Sequence, residues 1–189
     1  SAMADGKLGG PDTPVARYLP EWRSDPRGQI TLRDLLTMSS GLEPFAREGG
    51  MESAMGRFIF GPKDALAMSL SQPAAEEPGV RFRYDNTSSQ ILLIILERAV
   101  AMAYPEYLAQ RLWRPIGAGD AFLWAYENPP GLARGYSSLL ARAEDWLRIG
   151  LLIKDAGSWR GRQLIPAAMI DAMTTPSAAY ANYGWQLWL

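Results

Sequence analysis

The 189-residue sequence contains no cysteine and no histidine. Without cysteine there is no disulfide, no thiol nucleophile and no Cys-based zinc site, and the redox compartment cannot be read. Without histidine, a Ser-His-Asp triad and imidazole metal ligation are both excluded. Nucleophilic catalysis by this chain is therefore restricted to serine or threonine, assisted by lysine, tyrosine or a carboxylate. Lysine is scarce as well: Lys7, Lys63 and Lys154 are the whole supply. No apolar run is long enough to span a bilayer. The net charge of -1, with arginines scattered from Arg17 to Arg162, forms no basic stripe, so nucleic acid is not an expected partner. The start, Ser1-Ala2-Met3, has neither the charged nor the apolar region of a leader, and the compartment stays open between exported and cytoplasmic.

What is present is a chain of ordinary composition, 48% hydrophobic and 21% charged, long enough to bury one substantial core. Its most informative stretch is residues 79–99. Residues 91–96 are uninterrupted apolar positions, too little polar surface for a solvent-facing helix, so a helix buried nearly all round is expected there. Asn86, Thr87 and Ser88 precede it and can cap its first amides. Tyr84 stands at this entrance, where the positive end of the helix dipole favours a negatively charged oxygen. That is a suitable place for a base, although an ordinary half-buried aromatic beside a capping asparagine explains the same residues.

Elsewhere the patterns are structural. Thr31 and Asp34 have capping-box spacing before an apolar stripe at Leu32, Leu35 and Leu36, with Gly41 expected as the left-handed stop. Ser39 and Ser40 read as turn formers, since neither has a lysine three residues on. Residues 43–60 show no sustained period and are expected to form a long loop with room for a helical turn, with Phe45, Met51, Phe58 and Phe60 as candidate pocket residues. Pro62 opens a short expected helix to Leu70, with Lys63 and Asp64 in its first turn. Further helices are expected over 104–113, from Ala143 with Trp146, Leu147, Gly150 and Leu151 on one face, and over 166–173. Glu144 and Arg148 are spaced for an i,i+4 pair. Residues 121–126 suit a short strand and 159–165 an extended piece around Gly161. The terminal Tyr183 to Leu189 alternates large apolar residues and is expected to be a strand, whose open edge could mediate self-association.

These segments, taken in order, resemble the serine β-lactamase and penicillin-binding-protein superfamily, in particular its branch of class C β-lactamases, D-Ala-D-Ala carboxypeptidases, esterases and 6-aminohexanoate-oligomer hydrolases. The resemblance rests on Asp5-Gly-Lys-Leu with Pro14-Val-Ala-Arg-Tyr-Leu-Pro20, on residues 30–42, on Pro78-Gly79 with Phe82 and Tyr84-Asp85-Asn86, on residues 143–150 and 157–165, and on Tyr183-Gly-Trp185. It implies an α+β, predominantly helical fold, the central part of the β-lactamase/transpeptidase-like architecture with a few strands and an incomplete sheet. It implies one domain over 1–189, truncated in the sense that the family's Ser-x-x-Lys is expected before residue 1 and its Lys-Thr-Gly-like triplet after residue 189, with a helical region over about 20–155 and a return toward the sheet over about 156–189. By the same resemblance Tyr84 is the catalytic residue that shuttles the nucleophile's proton and Asn86 the substrate-binding residue that holds the amide, while Asp85 replaces the usual serine. The implied substrate is a small-molecule amide or ester, attacked through an acyl-enzyme, with no cofactor and no metal. No serine here has a lysine at the third following position. The chain alone is accordingly expected to be inactive; the alternative is a non-catalytic binding or scaffold module of the same fold.

Overall fold

Thr31 and Asp34 close the capping box that their spacing predicts: the Asp34 amide donates to Thr31 Oγ1 at 3.2 Å and the Thr31 amide donates to Asp34 Oδ2 at 2.8 Å. This starts α1, Leu32–Leu36, which turns Leu32 and Leu35 into the core. The computed structural model that shows this describes residues 1–61 and 64–189; Pro62 and Lys63, assigned by sequence to a first helical turn, lie outside the described residues. The stop of α1 differs from expectation. Met38, not Gly41, takes the left-handed conformation directly after the helix, at φ 55°. Gly41 makes a second reversal at φ 73°, where a Cβ would sit 2.3 Å from the Glu76 carbonyl oxygen, so only glycine fits.

Residues 43–60 are more ordered than their lack of period suggests. A 3-10 turn at Gly50–Glu52 leads into α2, Ala54–Phe60, whose first turn is capped by Ser53 accepting from the Gly56 amide at 2.9 Å. Three glycines and two methionines in this segment hid the helix because its packing comes from tertiary contacts of Met55 and Phe58, not from helix propensity. Asp64 caps α3, Ala65–Ser69, through the Ala67 amide.

The long α4, Asn86–Val100, is the centre of the molecule and packs on α1 and α3. No residue from Asn86 to Glu97 is exposed, as the apolar run predicts. Ile91 and Ile95 join Val15, Leu19, Trp22, Ile30 and Phe58 in one core. Each such side chain contributes about 1.5–3 kcal/mol by leaving water. Gln90, buried among them, is satisfied at both ends, donating to the Ala133 carbonyl at 2.9 Å and accepting from the Gly135 amide at 2.8 Å. The segment around residues 133–135 is thereby pinned to α4.

Beyond α4, α5 at Tyr104–Leu108 widens into a π-helical turn at Ala109–Trp113. Two small antiparallel sheets follow, β1 (Phe122–Leu123) with β2 (Leu139–Leu140), and β3 (Ser158–Trp159) with β4 (Arg162–Gln163). The second is closed by Arg160 and Gly161, both at positive φ, the conformation that suits a two-residue hairpin turn. Between the sheets runs α6, Ala143–Lys154, and α7 occupies Ala167–Thr174. The fold is thus α+β and predominantly helical.

Two expectations fail here. The apolar face of α6, where a core contact would be the usual use, is turned outward, with Leu147 63% and Trp146 46% exposed, while Asp145 and Leu152 face inward. Asp145 fixes that rotation: it accepts from the Gly119 amide, from Arg142, and from Arg148 at 2.6 Å. Arg148 therefore pairs with Asp145 and not with Glu144. The terminal residues 183–189 form no strand. Tyr183 bridges back to Trp188, the Gly184 amide donates to Leu187 at 2.9 Å, and Gln186 sits at φ 55°. A strand needs a neighbour, and no described segment offers one. The turn instead binds α1 and α4: the Gln186 amide donates to the Leu36 carbonyl at 2.9 Å, its side chain donates to Leu35 at 3.1 Å, and it accepts from the Ser89 hydroxyl at 2.6 Å. No strand edge is presented by these residues for self-association.

Candidate functional site

The approach to α4 is held in register from outside the helix. The Gly79 amide donates to Ser39 at 2.8 Å and the Arg83 amide to Met38 at 2.7 Å, tying residues 79–83 to the end of α1. From there the chain is extended, so successive side chains alternate. Tyr84 points outward, 43% exposed, and Asp85, at the N-cap position, points inward, 5% exposed. Asn86, the first residue of α4, is half-buried, and its side-chain amide makes no hydrogen bond among the described residues.

Tyr84 and Asn86 share a groove of 370 Å³ whose lining also includes Ser53, Phe60 and Arg47. A second depression, of 510 Å³, lies on the other flank of Tyr84 and includes Phe45 and Arg83. An aromatic wall completes the surroundings. The Trp188 ring lies 5.4 Å from Tyr84 and 5.0 Å from Tyr183, and Phe82 stacks on Tyr180 at 4.5 Å. Burial first, and the nearby Tyr84 oxygen second, push the Tyr183 hydroxyl up to about 12, so Tyr183 stays a phenol at neutral pH.

The four aromatic and methionine candidates from residues 43–60 separate. Phe45 and Phe60 line the two depressions, Phe58 is fully buried in the core, and Met51 is exposed and lines neither. Ser39 and Ser40 are buried, with the Thr37 and Ser39 hydroxyls 2.8 Å apart, as turn residues should be. Ser53 reaches the groove but its hydroxyl is committed, donating to Gly50 at 2.6 Å and accepting from Gly56. Sequence reasoning missed Trp188, which lies in the terminal stretch read as a strand that does not form. It also missed Gln186, whose partners lie 97 to 151 residues away and leave no local signal. Arg47 is a third omission; an arginine in an aperiodic segment is indistinguishable from any solvated one.

Asp85 presents an electrostatic problem. Its Oδ2 accepts from Gln72 Nε2 at 3.3 Å, but Asp85 Oδ1, Gln72 Oε1 and Thr87 Oγ1 are buried without partners among the described residues. Burial raises the carboxyl above its ordinary value, against the weaker opposing pull of the Thr87 amide and Gln72. The folded state therefore keeps the Asp85 proton to higher pH than the unfolded chain does. Stability falls as pH rises from the ordinary aspartate range through the folded value, and the full cost of a buried carboxylate is felt above it. Asp85→Asn removes that cost and adds a donor for Gln72 Oε1. The variant is expected to be more stable at pH 7 by about 1–3 kcal/mol, with the gain vanishing near pH 4 where aspartate is itself protonated. Urea denaturation of both proteins across that range checks it, and a gain independent of pH would contradict it.

A family model described as Beta-lactamase matches residues 2–188. The chain is 32% identical over 113 residues to the monacolin J acid methylbutanoyltransferase of Aspergillus terreus, which covers 57% of this chain and 26% of that protein. It is 28% identical over 170 residues to the D-aminopeptidase of Cereibacter sphaeroides, covering 88% of this chain and 31% of that protein. Among solved structures, a Bacillus anthracis protein provisionally named a 6-aminohexanoate-dimer hydrolase superposes with a TM-score of 0.82 at 20% identity, over 98% of this chain and 53% of that one. A penicillin-binding protein from Bacillus halodurans superposes at 0.71 and 18% identity, over 99% and 64%. These structural likenesses speak for the fold. The chain spans under a third of the two curated relatives named. With the family model running from residue 2 to residue 188, the chain belongs to the Beta-lactamase family.

Proposed function

We propose that the chain supplies the proton-transfer and substrate-binding side of a serine hydrolase that cleaves amide or ester bonds through an acyl-enzyme, and that its 189 residues are one unit of that enzyme. The observation that carries this reading is the pairing of an exposed Tyr84 with an uncommitted Asn86 amide in one groove at the start of the fifteen-residue α4. The macrodipole of a helix that length favours negative charge at its N-terminus, within reach of the last turn before it. In the reaction, a serine oxygen attacks the carbonyl carbon while Tyr84 accepts the serine proton, and the tetrahedral intermediate collapses as that proton passes to the leaving nitrogen or oxygen. Asn86 donates to the substrate carbonyl or accepts from its amide. Water then repeats the sequence on the acyl-enzyme.

The nucleophile is not among these residues. No Ser-x-x-Lys occurs in the sequence, and the serines nearest the groove are buried or committed to backbone partners. The chain by itself is therefore expected neither to hydrolyse an activated ester or a chromogenic β-lactam nor to react with a serine-directed fluorophosphonate. A form of the protein that carries Ser-x-x-Lys should do all three. Mass spectrometry of the labelled peptide decides the matter: a modified serine within residues 1–189 contradicts the assignment. Ligand binding without labelling in the longer form would instead favour a binding module.

A further inference from the structure

The acyl-transfer reading leaves a charge imbalance around Tyr84 unused. Arg47 lines both depressions that meet at Tyr84, Arg81 and Arg83 line the larger one, and no carboxylate lines either. Arg81 and Arg83 already share a partner, Glu76, at 3.1 Å from Arg81. Arg47 has no ion pair among the described residues. Its sequence neighbours Glu48 and Glu52 line neither depression. Three guanidiniums against one carboxylate leave net positive charge around the two depressions, and the unpaired one lines both of them together with Tyr84.

Flat apolar surface adjoins that charge. Trp188 is 54% exposed and Tyr84 43%, with ring centroids 5.4 Å apart and inclined at 38°. Tyr84 shares the lining of both depressions with Arg47, and Trp188, which lines neither, extends the flat surface outward from the Tyr84 ring. Singly exposed aromatics are commonplace, but two in contact, one of them sharing a groove with an unpaired arginine, match a ligand with a flat apolar part and an anionic part. A guanidinium offers a planar fork of donors that a carboxylate fills with two parallel hydrogen bonds.

We infer that Arg47 is a specificity-determining residue that recognises a carboxylate, and that the groove takes anionic molecules whose flat apolar group rests on Tyr84 and Trp188. This deepens the proposed function by giving its substrate a charge and a shape, and it rests on that reading only for the claim that the ligand is then hydrolysed. Arg81 and Arg83, held by Glu76, add to the field without closing on the ligand.

The test is binding, which needs no turnover. Isothermal titration of the 189-residue chain with 4-phenylbutyrate and with its neutral isostere 4-phenylbutyramide is expected to favour the carboxylate by roughly fivefold, the upper range for a pair at an exposed site. The preference should shrink toward unity in about 0.5 M salt, where the screening length is only a few ångströms. Arg47→Ala should remove it while leaving circular dichroism unchanged, and Arg47→Lys should restore part of it. Trp188→Ala should weaken both ligands alike. Equal affinity for the two ligands, or a preference that survives Arg47→Ala, overturns the assignment of Arg47; unchanged binding in Trp188→Ala overturns that of the aromatic shelf. A failed fluorophosphonate reaction in the longer form would leave these results standing, so the two readings fail separately.

Discussion

Tyr84→Phe, in a form of the protein that carries Ser-x-x-Lys, is expected to lower kcat/KM for an amide or ester by about 10²–10⁴-fold, the usual range for loss of a positioned proton-transfer group. The substitution removes only the hydroxyl. The ring keeps its contacts with Trp188 at 5.4 Å and Tyr183 at 6.3 Å, so the architecture of the groove is preserved. Stability should change by less than about 0.5 kcal/mol, as for surface changes away from the core. Because the lost group acts in the transition state, most of the effect should fall on kcat and little on KM. Steady-state kinetics beside a thermal melt separate the two readings of Tyr84. If Phe at this position retains full kcat, Tyr84 is an aromatic wall residue and nothing more.

The largest effect on folding should come from Phe58→Ala. Phe58 is fully buried, and its ring lies 5.3 Å from Phe45, 5.4 Å from Tyr136 and 6.1 Å from Tyr126, joining α2 to the segment that Gln90 pins to α4. Truncation leaves a cavity at the meeting point of those elements and is expected to cost about 3–5 kcal/mol. For a domain of this size that lowers Tm by roughly 6–20 °C. Phe60→Ala is the internal control: two residues along the same helix but 66% exposed, it should change stability by under about 0.5 kcal/mol. The two melts together test whether α2 is docked through Phe58. Equal and small shifts would mean that the residues before α3 form the loop that their composition suggests.

What could be foreseen from the sequence follows from the range of the interactions involved. The α1 cap was legible because Thr31 and Asp34 are three residues apart and satisfy each other. The burial of α4 was legible because an apolar run without polar relief has nowhere else to go. The hairpin turn at Arg160-Gly161 was not foreseen: residues 159–165 read as one extended piece around Gly161, whereas the chain reverses there between β3 and β4. Helix α2 was not legible, since Met55 and Phe58 earn their helical conformation from partners far along the chain. The rotation of α6 was not legible: apolar periodicity groups Trp146, Leu147 and Leu151 on one face, and one buried carboxylate, Asp145, with three donors around it, turns that face outward. Such a case shows that a satisfied buried charge can outrank a hydrophobic stripe, because leaving it unpaired costs several kcal/mol. The terminal residues were misread for a related reason, since alternation predicts a strand only when a sheet is there to receive it.

Of the site, Tyr84 and Asn86 were visible as a triplet whose weight came from the ordered matches around it. The structure adds their surroundings: Arg47 in the lining of the same groove, Trp188 beside the ring, and an inward Asp85 whose carboxyl has an oxygen without a partner among the described residues. None of these has a local signature, because each depends on which distant segment arrives.

The Gln186 clasp gives that arrival an order in time. Its bonds join residues 97, 150 and 151 positions apart, so each closes a very long loop of chain. Loop-closure entropy disfavours such contacts until shorter-range structure has drawn the ends together. The contacts of α1 and α4, which offer Gln186 its acceptors and its donor, must therefore form first. The aromatic wall beside Tyr84 is then among the last parts of the molecule to assemble during folding, and the first that a weakened clasp would release.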